Sequence, residues 1–148
     1  MSVPIDDGKC FACGPENPIG LHLHFEPDGE GVRAETSLPE AFQGWKSIAH
    51  GGIAITLLDE GMAHAAAHAG HRGVTASMNV RFRKPVPLEQ PIVITGRIAW
   101  TRRNVLGIEA AVQDASGTVL LDGEGKFVSM GGLDDADDYR IGRRNEST

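Results

Sequence analysis

The spacing of apolar and polar residues along the chain switches between two periods. Leu21, Leu23 and Phe25 alternate with His22 and His24, the period of two that marks a half-buried strand. Glu26-Pro27-Asp28-Gly29 then carries turn chemistry. Alternation resumes over Gly31 to Leu38, with Val32, Ala34 and Thr36 opposite Arg33, Glu35 and Ser37, so the two segments predict a hairpin. A connector, residues 39–49, holds Phe42 and Trp45. From residue 51 to about 69 the period changes to that of a long helix rich in Ile, Leu, Met and Ala. Gly70 and Gly73 end it, with His71 and Arg72 favourably placed near its C-terminus. Period two then returns in Val74–Arg83, Pro91–Arg103, Val105–Asp114 and Thr118–Ser129, with turns at Arg103-Asn104 and Asp114–Gly117. Two strands, one helix and an antiparallel meander predict an α+β fold with one central helix against one sheet.

The ends look different. Residues 1–18 are rich in Gly, Pro and Asp and read as an irregular arm, and the stretch from Gly131 reads as a mobile tail. The organisation expected is one domain over residues 1–130 and a tail over 131–148. A chain of 148 residues, 41% hydrophobic and 23% charged, can bury its own core. A net charge of −6 argues against a nucleic-acid partner. Part of that charge is the acidic run Asp134, Asp135, Asp137 and Asp138. No window approaches the roughly 18 apolar residues of a membrane span. MSVPIDDGKC lacks the basic and apolar regions of a secretory leader. The expectation is a cytoplasmic protein whose two cysteines stay reduced.

Candidate chemistry concentrates in HGGIAITLLDEGMAHAAA, residues 50–67. Gly51-Gly52 at a helix start leaves unpaired amides open to a ligand oxygen; tight packing or a sharp turn is the readier explanation of the pair taken alone. With about 100° per residue, Asp59 shares a stripe with Ile55, Met62, Ala63 and Ala66, an apolar face. A carboxylate there must be paired or have a raised pKa, so it is either a functional acid or a satisfied structural one. Glu60 falls with Thr56, His64, His68 and His71 on a polar stripe expected to be solvated. That stripe has metal-compatible i, i+4 spacing, but HExxH is absent. Gly51 and Asp59 are separated by about 12 Å of helix. If both serve one reaction, the carboxylate must come from a second chain, which predicts a two-fold dimer with composite sites.

His50-Gly51-Gly52, Asp59 and Thr75, with the lead-in CFACGPENPIGLHLHF and the connector FQGW, resemble the hotdog-fold acyl-CoA thioesterases of the 4HBT-like superfamily, in its PaaI-type and THEM-type branches. The resemblance spans about residues 10–130. It implies an antiparallel sheet wrapped around the central helix, and hydrolysis of an acyl-CoA to a carboxylic acid and coenzyme A. It implies that the Gly51 amide polarises the thioester carbonyl and that Asp59 is nucleophile or general base. Thr75 would orient water or assist Asp59, and His50 would shape the helix start and contact the substrate. Some relatives carry Gln or Asn seven residues before the oxyanion glycine; here that position is Gly44, with Gln43 beside it as a substitute. A homodimer or a dimer of dimers is implied, with no cofactor beyond the coenzyme A of the substrate. Relatives that hydrate enoyl-CoA pair an Asp with a His five residues on, as Asp59 and His64 are spaced, but those two fall on different helix faces. A non-catalytic acyl-CoA binder is the alternative of a different class.

Two further groups carry charge or sulfur. Thr75, Ser77, Asn79, Arg81 and Arg83 alternate along one strand and precede Lys84. Asn79, Arg81, Arg83 and Lys84 suit the phosphates of coenzyme A, with Arg102 and Arg103 beside them; a solvated sheet edge guarded by charge explains them as well. Cys10-Phe-Ala-Cys13 has half of a zinc set, which His22 and His24 complete on paper. No second CxxC exists, so a reduced pair without metal is expected. No G-x-S-x-G elbow or P-loop is present, so neither serine hydrolysis of that kind nor nucleotide binding finds support.

Overall fold

The computed structural model describes residues 4–132. Six strands, β1 (Glu26–Asp28), β2 (Gly31–Ser37), β3 (His71–Phe82), β4 (Pro91–Arg102), β5 (Val105–Asp114) and β6 (Val119–Gly132), and one long helix, α1 (Gly51–His68), follow one another with α1 between β2 and β3. The sheet is antiparallel throughout, in the order β1-β2-β4-β5-β6-β3. It is the α+β hotdog arrangement, with the sheet wrapped around α1. Strand β6 runs through Gly131 and Gly132, beyond the expected end of the domain; the tail from residue 133 lies outside the described residues. His71 and Arg72 begin β3 and do not close the helix. None of the described helices is long and apolar enough to cross a membrane.

The first strand differs from the expectation. Leu21, Leu23 and Phe25 are buried as the alternation requires, but they join no ladder of the sheet. The Leu21 and Leu23 amides bond the carbonyls of Phe11 and Ala12 in the arm, and His22 takes a positive φ of 53°. The sheet strand is instead Glu26–Asp28, inside the segment that reads as a turn. Burial alternates because the segment is sandwiched between arm and core, and that pattern is the same as a ladder's.

α1 buries Ala54, Leu57, Leu58, Gly61, Met62, Ala65 and Ala66. These pack into one core with Ile92, Ile94, Leu106, Ile108, Leu121 and Phe127 of the sheet. A glycine inside a helix costs about 1 kcal/mol relative to Ala. Gly61 is kept because the helix backbone meets β4 there. A Cβ on Gly96 would run into the Gly61 carbonyl, and one on Gly61 would press on Ile94 Cγ2 at 3.1 Å.

Candidate active site

The helix starts on a histidine cap. His50 Nδ1 accepts from the Gly52 amide at 2.9 Å, which leaves Nε2 as the N–H of a neutral ring. The Gly52 amide is thereby committed to this chain's own cap. Among the described residues nothing accepts from the Gly51 amide, one of the orphan donors of a helix N-terminus. A Cβ on Gly51 would meet nothing within 4 Å. The space over this donor is therefore open on the side of this chain. The connector is folded against the cap: His50 N–H donates to Phe42 O at 2.8 Å. Gly44 lets His50 come close, since a Cβ there would sit 3.0 Å from His50 Cα. Gln43 Oε1 accepts from the Ser47 amide at 2.9 Å, so this carboxamide oxygen secures the connector.

Asp59 and Thr75 meet through chain geometry. Asp59 is nine residues before the end of α1, about 14 Å of helix. Thr75 is four residues into β3, about 13 Å of strand. The tight turn through Gly70, at φ +92°, sends β3 back along the helix, so the two arrive level. Thr75 Oγ1 donates to Asp59 Oδ1 at 2.7 Å. The carboxyl is half-buried, and this desolvation raises its pKa above the ordinary range; the Thr75 hydrogen bond lowers it in part and the charge of Glu60 adds to the rise.

β3 is not one continuous polar face. Its pairing with β6 shifts between Thr75 and Ser77: Thr75 lies opposite Phe127, and Ser77 opposite Lys126. This bulge reverses the alternation. Thr75 turns to the helix side with buried Phe127, whereas Ser77, Asn79 and Arg81 face outward with Lys126, Glu124 and Asp122. There Arg81 bonds Asp122 at 3.0 Å and Glu124 at 2.8 Å, and Arg83 bonds Asp122 at 2.6 Å. Lys84 follows the strand, its amide donating to Leu120 O at 2.9 Å. The fold thus brings Thr75 to Asp59 and keeps the outward-facing Asn79 and Arg81 off that side of the sheet.

Glu60 corrects the expectation of a solvated surface residue. It is 9% exposed and His64 8%. The arm covers this side of α1: Cys10 Sγ lies 3.9 Å from Glu60 Oε1, and Phe25 stacks on His64 with ring centroids 4.6 Å apart. His64 Nε2 is 3.2 Å from Glu60 Oε2. The stripe is polar by composition yet buried, because residues far away in sequence fold over it. A hydrogen bond from the Cys13 side chain, helped by backbone amides, lowers the Cys10 thiol to about 6, against the opposing effects of burial and Glu60. His22 and His24 take no part in this cluster: among the described residues, the ligand atoms that gather around the cysteines are those of Glu60.

Fold and site together define a hotdog protein with a helix-borne carboxylate. The chain belongs to the thioesterase superfamily, whose 4HBT family model matches residues 46–121. A solved thioesterase superfamily protein is 26% identical with a TM-score of 0.79, over 87% of this chain and 68% of that one. PaaI of Escherichia coli, from its phenylacetic acid degradation operon, is 16% identical at TM-score 0.70, over 76% of this chain and 82% of its own. A hypothetical thioesterase protein from Streptococcus pneumoniae, solved with coenzyme A, is 20% identical at TM-score 0.70, over 74% of this chain and 90% of its own. The same protein has been solved with an aspartate replaced by alanine and with a threonine, sixteen residues further on, replaced by alanine. Among curated proteins, nothing matches the chain.

Proposed function

We propose that this protein hydrolyses an acyl-CoA thioester to a carboxylic acid and free coenzyme A. The observation that carries the reading is the half-buried Asp59 held by Thr75. The sixteen-residue separation of this pair is also that of the two residues replaced in the Streptococcus pneumoniae protein. A carboxylate with a raised pKa is a stronger base than one in water and is only partly solvated. As general base, Asp59 takes a proton from water while the oxygen adds to the thioester carbon. As nucleophile, its oxygen adds there directly and water then cleaves the acyl-aspartate anhydride. In both routes the carbonyl oxygen gains charge, the Gly51 amide donates to it, and the C–S bond breaks to release the coenzyme A thiolate. One such donor contributes roughly 3–4 kcal/mol.

Gly51 and Asp59 lie about 12 Å apart along one helix, so the amide and the carboxylate of one site come from two chains. A homodimer supplies this arrangement twice. Support comes from the helix surface beside Asp59, where Ile55 is 38% exposed, next to the long edge strand β3. Such an apolar edge calls for a cover.

A thiol-release screen across acyl-CoAs of different chain length and aromaticity tests the reading. At least one substrate is expected to turn over, and Asp59→Asn is expected to keep binding it while releasing thiol at least about 100-fold more slowly. Wild-type protein that binds acyl-CoA yet liberates no thiol from any of them would reduce this chain to a binder. In a single turnover in heavy-oxygen water, label in Asp59 identifies the nucleophilic route with water opening the anhydride at the aspartyl carbon.

A further inference from the structure

We propose that Cys10, Cys13 and Glu60 bind a zinc ion that fastens the N-terminal arm to α1, with His64 orienting the carboxylate. The site lies on the flank of α1 away from Thr75 and Asp59 and is independent of the thioesterase reading. One ligand atom from each of the three residues lies within 4.8 Å of the other two. Ligand atoms around a tetrahedral zinc, with bonds of about 2.0–2.3 Å, stand roughly 3.5–4 Å apart. Closing the set takes side-chain shifts of about 1 Å or less.

The backbone of the arm is shaped for this purpose. The Gly14 amide donates to Cys10 O at 2.8 Å, and the Cys13 amide donates to Cys10 Sγ at 3.4 Å. The turn draws Gly14 so close that a Cβ there would collide with the backbone of Cys10. A C-x-x-C turn of this kind brings its two sulfurs to one ion, as structural zinc sites require. The third ligand is equally constrained. Glu60 is 9% exposed and anchored by His64 one helical turn on, and His64 is itself clamped flat on Phe25. A ligating carboxylate with a fixed partner on its second oxygen is the usual arrangement around a metal. Two thiolates beside a carboxylate select zinc over calcium or magnesium. The cluster lines a cavity of about 470 Å³ that also touches Asp6, His71 and Arg72, through which water reaches the fourth position.

The test uses the full-length protein, reduced, stripped with a strong chelator and titrated with zinc against a chromophoric competitor. About one ion per chain is expected. Replacing zinc with cobalt is expected to give a thiolate-to-metal charge-transfer band in the near ultraviolet. Cys10→Ser and Cys13→Ser are expected to abolish binding, and Glu60→Gln and His64→Gln to weaken it by about 10-fold or more. Hydrogen exchange in residues 10–23 is expected to slow on zinc addition, because the ion fastens the arm. Zinc-free wild type that takes up no ion would overturn the site, as would cobalt binding without the thiolate band. Undiminished affinity in either cysteine variant or in Glu60→Gln would also overturn it. The cobalt spectrum and the exchange measurement need only wild-type protein, so a variant that fails to fold does not shield the proposal.

Discussion

Asp59 and Glu60 are neighbours in sequence, but α1 sends them to opposite flanks of its buried stripe. On the Asp59 flank the helix meets a single strand, β3, and the apolar Ile55 one turn before Asp59 stays open. On the Glu60 flank the chain supplies its own cover, from the arm and Phe25. A similar carboxylate therefore has two roles. One side stays open, where the proposed partner chain would sit, and the other is covered by the chain's own arm. A helix that is two-sided in this way can expose a reactive acid without exposing its core.

The sharpest way to break this contrast is to neutralise each acid in turn. Asp59→Asn is expected to lower kcat by about 10²–10⁴, the worth of a positioned base, whereas Glu60→Gln keeps the carboxylate of the opposite flank and only removes the charge that adds to its raised pKa. The same Asp59→Asn change should stabilise the fold. Burial raises the Asp59 pKa, so the folded chain holds that proton more tightly than the unfolded one. The cost of ionisation to the fold begins as the pH rises through the ordinary value of about 4, where the unfolded chain ionises, and is complete above the raised folded value. Thermal melts are expected to put the variant above wild type near neutral pH and level with it in acid. Thiol release by wild type should correspondingly rise with pH as Asp59 ionises.

Phe25→Ala addresses the covered flank. It removes a side chain only 1% exposed and is expected to cost about 3–5 kcal/mol in chemical denaturation. Thr75→Val comes next. Losing a hydrogen bond to a charged group costs about 1.5–3 kcal/mol, so the melting temperature should fall, and kcat/KM should drop by about 10- to 100-fold if the bond is kept in the transition state. Arg81→Ala has the smallest effect. It breaks exposed ion pairs on the outer face of β3, and thiol release should stay within about twofold of wild type, since such pairs contribute little. A large rise in KM would instead return Arg81 to the substrate.

Much of the fold can be read locally. α1 is bounded by Gly51 and Gly70, and the β4–β5 turn and the Asp114–Gly117 turn carry their own chemistry, so the predicted segments match the observed elements closely. Asp59 and Thr75 are legible together through the family resemblance, and helix rise, strand rise and the turn at Gly70 explain why they meet. What stayed hidden depends on contacts between distant residues. The Leu21–Phe25 alternation cannot say that its amides bond the arm. The bulge between Thr75 and Ser77 leaves no mark in a simple alternation, yet it divides the predicted polar face in two. The stripe of Glu60 and His64 looks wet until the arm is laid across it. A C-x-x-C-G turn together with a Glu and a His four apart is the signal that, read jointly, points to that cluster.

The contact between Gly61 and Gly96 has a consequence for tolerance to change. Where two side chains separate a helix from its sheet, each substitution moves the helix by a fraction of their bulk. Here main chain rests on main chain, and the spacing is set by atoms that every substitution elsewhere leaves alone. The register of Asp59, two residues from that seat, is thereby insulated from drift in the surrounding core. Lineages can exchange Leu, Ile and Met around it while the reactive geometry keeps its calibration.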